Sequence, residues 1–309
     1  MHFTMTQRLL CLSLIAMAAL ATLANAQEKR QPIEECASDI PIEIGINFTR
    51  KGHEETLSKE MAHIYPVIQN KLNDEAILER WDGVKGTAEE HLEWMLAHAR
   101  KHTDLDLDGF RALGEREGIQ YEINDELTKK AGGAGYMRLS GEVDIPAELL
   151  VALVMDSGSL GELDDTVMFL NMLHQYKNKR SAICIWVAAP GFPFLWRDGL
   201  DLTSWKRDED GTYWQYSISV PEEIPHFKTG SLRAVDRYWA YKLSPVDGGK
   251  RTKLVLICQT DLGGWMPNAL VNYMVGSVLA DYIHRVERLA KGLTPSALER
   301  LVEGIRSNE

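Results

Sequence analysis

RDGLDLTSW (197–205), YWQYSISVPEEIP (213–225), LRAVDRYWAYKLSP (232–245) and KRTKLVLICQTDLGGWMP (250–267) follow one another through the last third of the chain. NALVNYMVGSVLADYIHRVERLAKGL (268–293) comes directly after them. The first four runs read as β-strands, and Asp210-Gly211 and Asp247-Gly248 are turn dipeptides of the kind that join antiparallel partners. The fifth is a helix opened by Pro267, with Val271, Val275, Val278, Leu279, Tyr282 and Val286 recurring at three- and four-residue spacing. Together they predict an α+β chain: a curved antiparallel sheet wrapped around a long C-terminal helix. Trp186, Trp214, Tyr216, Ile218, Leu256 and Cys258 are expected to face that helix. One sheet layer and one helix cannot fill the concave side alone, so an apolar guest is expected between them.

Working towards the N-terminus, SAICIWVAAP (181–190) is a strand ended by proline, and LDDTVMFLNMLHQYK (163–177) a short helix running into a strand. Pro146 opens a helix over AELLVALVMD. FRALGE and IQYEI form a hairpin across Glu117-Gly118, and YMRLSGEVDI is a further strand after the glycine-rich turn Gly132-Gly133-Ala134-Gly135. A helix from Thr87, with Glu90 completing a capping box, carries Leu92, Met95, Leu96 and Ala99 on one face. Residues 54–80 have helical spacing broken near Pro66, and 27–52 read as a loosely packed arm.

Arg8, the apolar run Leu9–Leu23 and Ala24-Asn25-Ala26 have the layout of a cleaved secretory signal peptide. The expected organisation is a signal peptide (1–26), an N-terminal arm with a helix (27–86), a ligand-binding domain (87–293) and a C-terminal tail (294–309). Localisation is expected to be secreted, or lumenal or periplasmic. The whole chain has 34 Lys+Arg against 45 Asp+Glu; the leader holds one base and no acid, so the remainder is 33 − 45 = −12. That balance disfavours nucleic acid and anionic membranes as bulk-charge partners. Any membrane contact is then local and apolar, and a monomer is expected. Cys36, Cys184 and Cys258 are too sparse for a disulfide framework, although a bridge between neighbouring strands stays open.

Asp104-x-Asp106-x-Asp108-Gly109-x5-Glu115 fits the ligand positions of a calcium loop. The strand-like alternation that follows argues instead for an acidic helix-to-strand connection. The nine histidines show no metal pattern, and neither a nucleophile elbow nor a phosphate-cradling glycine loop is present. No cofactor and no catalytic residue is expected. Arg197 and Asp198 point to opposite faces of a strand, which prevents them acting as a pair on one atom. Each is expected to find a partner on its own side, with a lipid head group the alternative for Arg197.

Four ordered motifs carry a family resemblance: Phe192-Pro-Phe-Leu-Trp-Arg197-Asp198, Ser219-Val220 before a proline-containing loop, Leu232-Arg233-Ala234, and Asp261-Leu-Gly-Gly-Trp265-Met-Pro267. Over about Thr87–Leu293 the chain resembles the START (steroidogenic-acute-regulatory-protein-related lipid transfer) family. The resemblance implies a helix-grip fold with an internal apolar tunnel that holds a single lipid, often for transfer between membranes. Ligand contacts are then expected at Trp186, Arg197, Thr203, Trp214, Tyr216, Leu256, Val271, Val275, Val278, Leu279 and Tyr282. Trp265 and Met266 are the candidates for gate or membrane contact, with movable loops at 206–211 and 220–230. Sterol-handling relatives commonly place an opposite-charge pair in the tunnel. Here those places read as Cys184 and Thr203, which favours a phospholipid or other acyl-chain lipid over a sterol. The alternatives are a helix-grip enzyme acting on an apolar substrate and a ligand-gated sensor.

Overall fold

The computed structural model describes residues 88–156, 167–176, 180–189, 195–220, 230–263 and 268–308, with Phe48, Thr49, Lys51, Lys59 and Ala62 besides. The signal peptide, Cys36, the break at Pro66, Trp265 and Met266 lie outside the described residues.

In chain order the elements are β1 (Phe48–Thr49), α1 (Ala88–His102), β2 (Phe110–Arg116), β3 (Ile119–Asn124), α2 (Asp125–Lys130), β4 (Tyr136–Val143) and α3 (Ala147–Met155). Next come β5 (Val167–Gln175), β6 (Ser181–Ala188), β7 (Arg197–Arg207), β8 (Tyr213–Ser219), β9 (Leu232–Arg233), β10 (Val235–Val246) and β11 (Arg251–Asp261). The chain finishes with α4 (Asn268–Gly292) and α5 (Pro295–Arg306). The strands form one sheet in the order β1-β5-β6-β7-β8-β10-β11-β4-β3-β2, with β9 pairing in parallel beside β7. Every neighbour along that path is antiparallel. The α+β helix-grip expectation therefore holds.

Turn chemistry sets the hairpins. Glu117 and Gly118 both have positive φ between β2 and β3, as do Asp247, Gly248 and Gly249 between β10 and β11. Such turns match the right-handed twist of the strands they join.

The sequence reading differs from the structure at both ends. Phe48 and Thr49, expected in a loose arm, add an edge strand to β5. Residues 295–306, expected in a tail, form α5. Thr294 caps it by accepting from the Ala297 N–H, and Leu301 and Ile305 are buried in the core. Arg306 forks onto the Glu148 carboxylate and ties α5 to α3.

The two faces of the sheet pack differently. On the outer face α1 lays Leu92, Met95, Leu96 and Ala99 over Ile183, Ile185, Val187, Leu200, Leu202, Trp214 and Tyr216. On the inner face α3, α5 and the C-terminal half of α4 bury Leu139, Trp205, Tyr213, Leu243, Leu254 and Leu256. The acidic loop after α1 is a helix-to-strand connection: Arg138 donates to the Asp104 and Leu105 carbonyls, and Glu115 lies on β2. Among the described residues no cluster of His, Cys, Asp or Glu could hold a metal ion.

Candidate ligand-binding site

Strand β6 locates the opening. Ile183, Ile185 and Val187 belong to the outer-face cluster that includes α1 and are each 0% exposed. Their neighbours Cys184, Trp186 and Ala188 point inward and keep accessible surface. Thr203 on β7 and Trp239 on β10 also point inward and stay partly accessible. The inner face is thus sealed beside α3 and α5 and open over β6 and the neighbouring part of β7.

Trp186 lies flat over Gly199, where a Cβ would come within 2.2 Å of its indole. A glycine is needed there because the ring occupies the space. The indole Nε1–H donates to Asp201 Oδ2 at 2.6 Å, and Ser219 Oγ donates to Asp201 Oδ1 at 2.7 Å. Asp201 is also hydrogen-bonded to Asp236. Simple alternation would put Asp236 on the outer face with Tyr238 and Ala240. A β-bulge between Asp236 and Tyr238 swings it inward instead, and Thr260 donates to its Oδ1. Burial raises both carboxyls above the usual range, and for Asp236 the Asp201 charge adds to the rise. Such a pair carries a proton that two exposed aspartates would lose. Burial likewise pushes the Cys184 thiol up to about 12, so it is not a nucleophile at neutral pH. Cys184 and Cys258 are both free thiols.

Cys184 and Thr203 bring no charge to their places, as read, but Asp201 and Asp236 bring carboxyls to the same face. Cys184 and Thr203 do point inward, but Asp201 pairs directly with Cys184 in register and shares a face with Thr203. Period-two alternation on β7 was enough to find Asp201. The bulge that turns Asp236 has no signal in its residues.

The other expected contacts divide. Leu256 is buried on the inner face, and Leu279 and Tyr282 pack against the same core. Thr203 Oγ1 accepts from Gln215 Nε2 at 2.9 Å. Trp214 and Tyr216 are corrections: they belong to the outer face under α1, where Trp214 Nε1 donates to Asp208 and the Arg100 guanidinium lies over its ring. They cannot share a ligand with Leu256. Val278 is 39% exposed and points away from the core. The side chains of Val271 and Val275 lie outside the described residues.

Arg197 is committed elsewhere. Its guanidinium donates to the backbone carbonyls of Leu262 (2.6 Å), Gly263 (3.4 Å) and Leu195. It therefore fastens β7 to the chain leading into α4, with each of its three nitrogens bonded to backbone. Asp198, fully buried, accepts from Arg233 and Ser231. The glycine-rich turn before β4 serves α4 as well. Asn272 Nδ2 donates to the Gly133 carbonyl at 3.2 Å, and a Cβ at Gly135 would strike the Asn272 side chain.

The fold has known counterparts. The START domain family matches residues 117–293, more than half of the chain. The protein belongs to the START domain family. The steroidogenic acute regulatory protein, mitochondrial, of Ovis aries is 27% identical over 191 residues, which cover 58% of this chain and 66% of that protein. Human StAR-related lipid transfer protein 5 superposes with a TM-score of 0.56 at 21% identity, over 66% of this chain and 94% of that one. Human STARD10 gives 0.57 at 17% identity, over 69% and 82%.

Proposed function

We propose that this protein holds one lipid against the inner face of its sheet, between β6–β7 and α4, and transfers it between membranes. One observation carries the reading: the alternation on β6 buries Ile183, Ile185 and Val187 on the outer face and leaves Cys184 and Trp186 accessible on the inner one. An inward-facing indole left partly accessible marks space that a ligand would fill. The similarity to lipid transfer proteins supports the same reading. A sixteen-carbon acyl chain buried there gains roughly 12 kcal/mol, at about 0.8 kcal/mol per CH2, before ordering costs. That is enough to compete with a bilayer.

The same proposal takes the chain as a carrier rather than a catalyst. Leu195 (56% exposed) and Val235 (40% exposed) sit at the end of the sheet where Arg197 holds the Leu262 carbonyl. They are the described apolar groups placed to touch a membrane during transfer. Among the described residues no helix is long and apolar enough to cross one. The leader at residues 1–26 supports delivery to a secretory or periplasmic route.

Native mass spectrometry of the purified protein tests the reading. One lipid per chain, displaced intact by added vesicles, is the expected result. A protein that stays empty when incubated with liposomes rules the carrier out, and conversion of the lipid to a product replaces it with an enzyme.

A further inference from the structure

Strand β7 carries a glycine in its interior, and the residue opposite explains it. Trp186 on β6 and Gly199 on β7 are register partners on the inner face, with Leu170 of β5 on the other side of Trp186. Gly199 is not among the glycines with positive φ, so backbone freedom is not the reason for it. A Cβ at 199 would stand 2.2 to 2.4 Å from Cε2, Cζ2 and Nε1 of the indole. The ring therefore lies across β7 instead of standing up from β6. Glycine inside a strand weakens it and often marks such a close approach. The flanking inward positions on β6 are small, Cys184 and Ala188, and both keep accessible surface. They leave the indole room to stand up, so packing along β6 does not hold it down.

Asp201 holds it down. The indole Nε1–H donates to Asp201 Oδ2 at 2.6 Å. Asp201 is itself fixed by its neighbours. Ser219 Oγ donates to Oδ1 at 2.7 Å and accepts the Asp236 N–H at 2.7 Å, and the Asp236 side chain bonds Asp201 in turn. Both Asp201 oxygens are engaged and the residue is 7% exposed, so this carboxyl holds neighbours rather than a ligand. Trp186 differs. With one face on Gly199 and its nitrogen on Asp201, it still keeps accessible surface to offer a guest.

Resting on the carrier reading above, we propose that Gly199 and Asp201 are positioning residues for ligand binding, acting through Trp186. Gly199 is the seat and Asp201 the latch that keep the indole flat along the sheet, where it forms a floor beneath an apolar chain. An indole released from either stands up between Cys184 and Ala188 and takes the volume that the chain fills. The retracted ring is part of what keeps the interior hollow.

A fluorescent fatty-acid probe titrated into the full-length protein tests this. Gly199→Ala should bind it at least about tenfold more weakly than wild type, because the methyl lifts the ring. Gly199→Ala combined with Trp186→Ala should recover to within about threefold of Trp186→Ala alone. A glycine needed only for the strand gives no such rescue, since the methyl is still there when the ring is gone. Asp201→Ala, alone and with Trp186→Ala, repeats the cycle without a methyl on the seat. A further measurement leaves the sequence unaltered. In protein labelled with fluorotryptophan, the Trp186 fluorine resonance, identified by its loss in Trp186→Phe, should shift when the probe binds. Wild-type affinity in Gly199→Ala, a double variant as weak as Gly199→Ala, or a Trp186 resonance unmoved by bound probe each overturns the proposal. A wild-type protein that takes up no probe brings down the carrier reading instead.

Discussion

The two faces of the sheet at β6 are built from alternate residues of one strand, and they behave in opposite ways. On the outer face, whose cluster α1 joins, the packing is complete, with Ile183, Ile185 and Val187 fully covered. On the inner face the covering is incomplete, and Cys184 and Trp186 remain accessible. Hydrophobic content does not separate the two faces; what does is whether the opposing element closes to van der Waals distance.

Mutations at adjacent positions test this contrast most severely. Ile185→Ala should cost about 3 kcal/mol in urea unfolding, as for a truncation in a packed core. Cys184→Ala, one residue away, should cost less than about 1 kcal/mol. Equal losses would mean that both faces are packed alike.

The outer face can also be stressed by acid. His98 on α1 stacks on Tyr238 at 4.0 Å between ring centroids and bonds Tyr136 Oη at 2.9 Å. Burial, with the charges of His102 and Lys101, holds its pKa near 3. The unfolded chain takes up this proton at about 6.5 and the native chain does not, so stability falls as pH drops below 6.5 towards 3. After screening, the loss is on the order of 2–3 kcal/mol. In urea melts at pH 7, 5 and 4, His98→Gln should flatten this dependence; an unchanged slope would remove His98 as its source.

Filling the open side is a gentler perturbation. Cys184→Trp should abolish lipid loading in native mass spectrometry yet lower stability by less than about 1 kcal/mol. A packed site would lose about 1–3 kcal/mol to overpacking. The smallest effect is expected from Asp236→Asn, which keeps a donor for Asp201 and an acceptor for Thr260. The raised carboxyl is protonated in the native chain and ionised in the unfolded one, so wild-type stability declines as pH rises above about 3.8. The variant should melt a few degrees higher at pH 8 and level at pH 4, by calorimetry.

Much of this fold was legible because it is local. The Asp-Gly turns, the helix Leu92–Ala99 and the paired strands before α4 are set by residues near in sequence. The side on which each strand faces is not local. Trp214, Tyr216 and Ile218 alternate cleanly with Tyr213, Gln215 and Ser217, and either set could be turned to α4. Only the register of β8 with β7 and β10 decides it, and it places the Trp214 set under α1. Asp236 was hidden for a second reason: one extra residue in β10 reverses the alternation on which a strand pattern is read. Arg197 shows the reverse case, since its structural role followed from strand geometry and the structure supplies the carbonyls it holds.

The placing of α4 governs how a guest comes and goes. The helix rests on β2, β3, β4 and α3; Gly276 brings its backbone against the Tyr121 ring, and Asn272 reaches the Gly133 carbonyl. It hangs like a door along that margin, with Arg197 as the bolt at its leading end. On the carrier reading proposed above, widening the β5–β7 side takes a small rotation about the hung edge, and the cargo leaves sideways without any strand being undone.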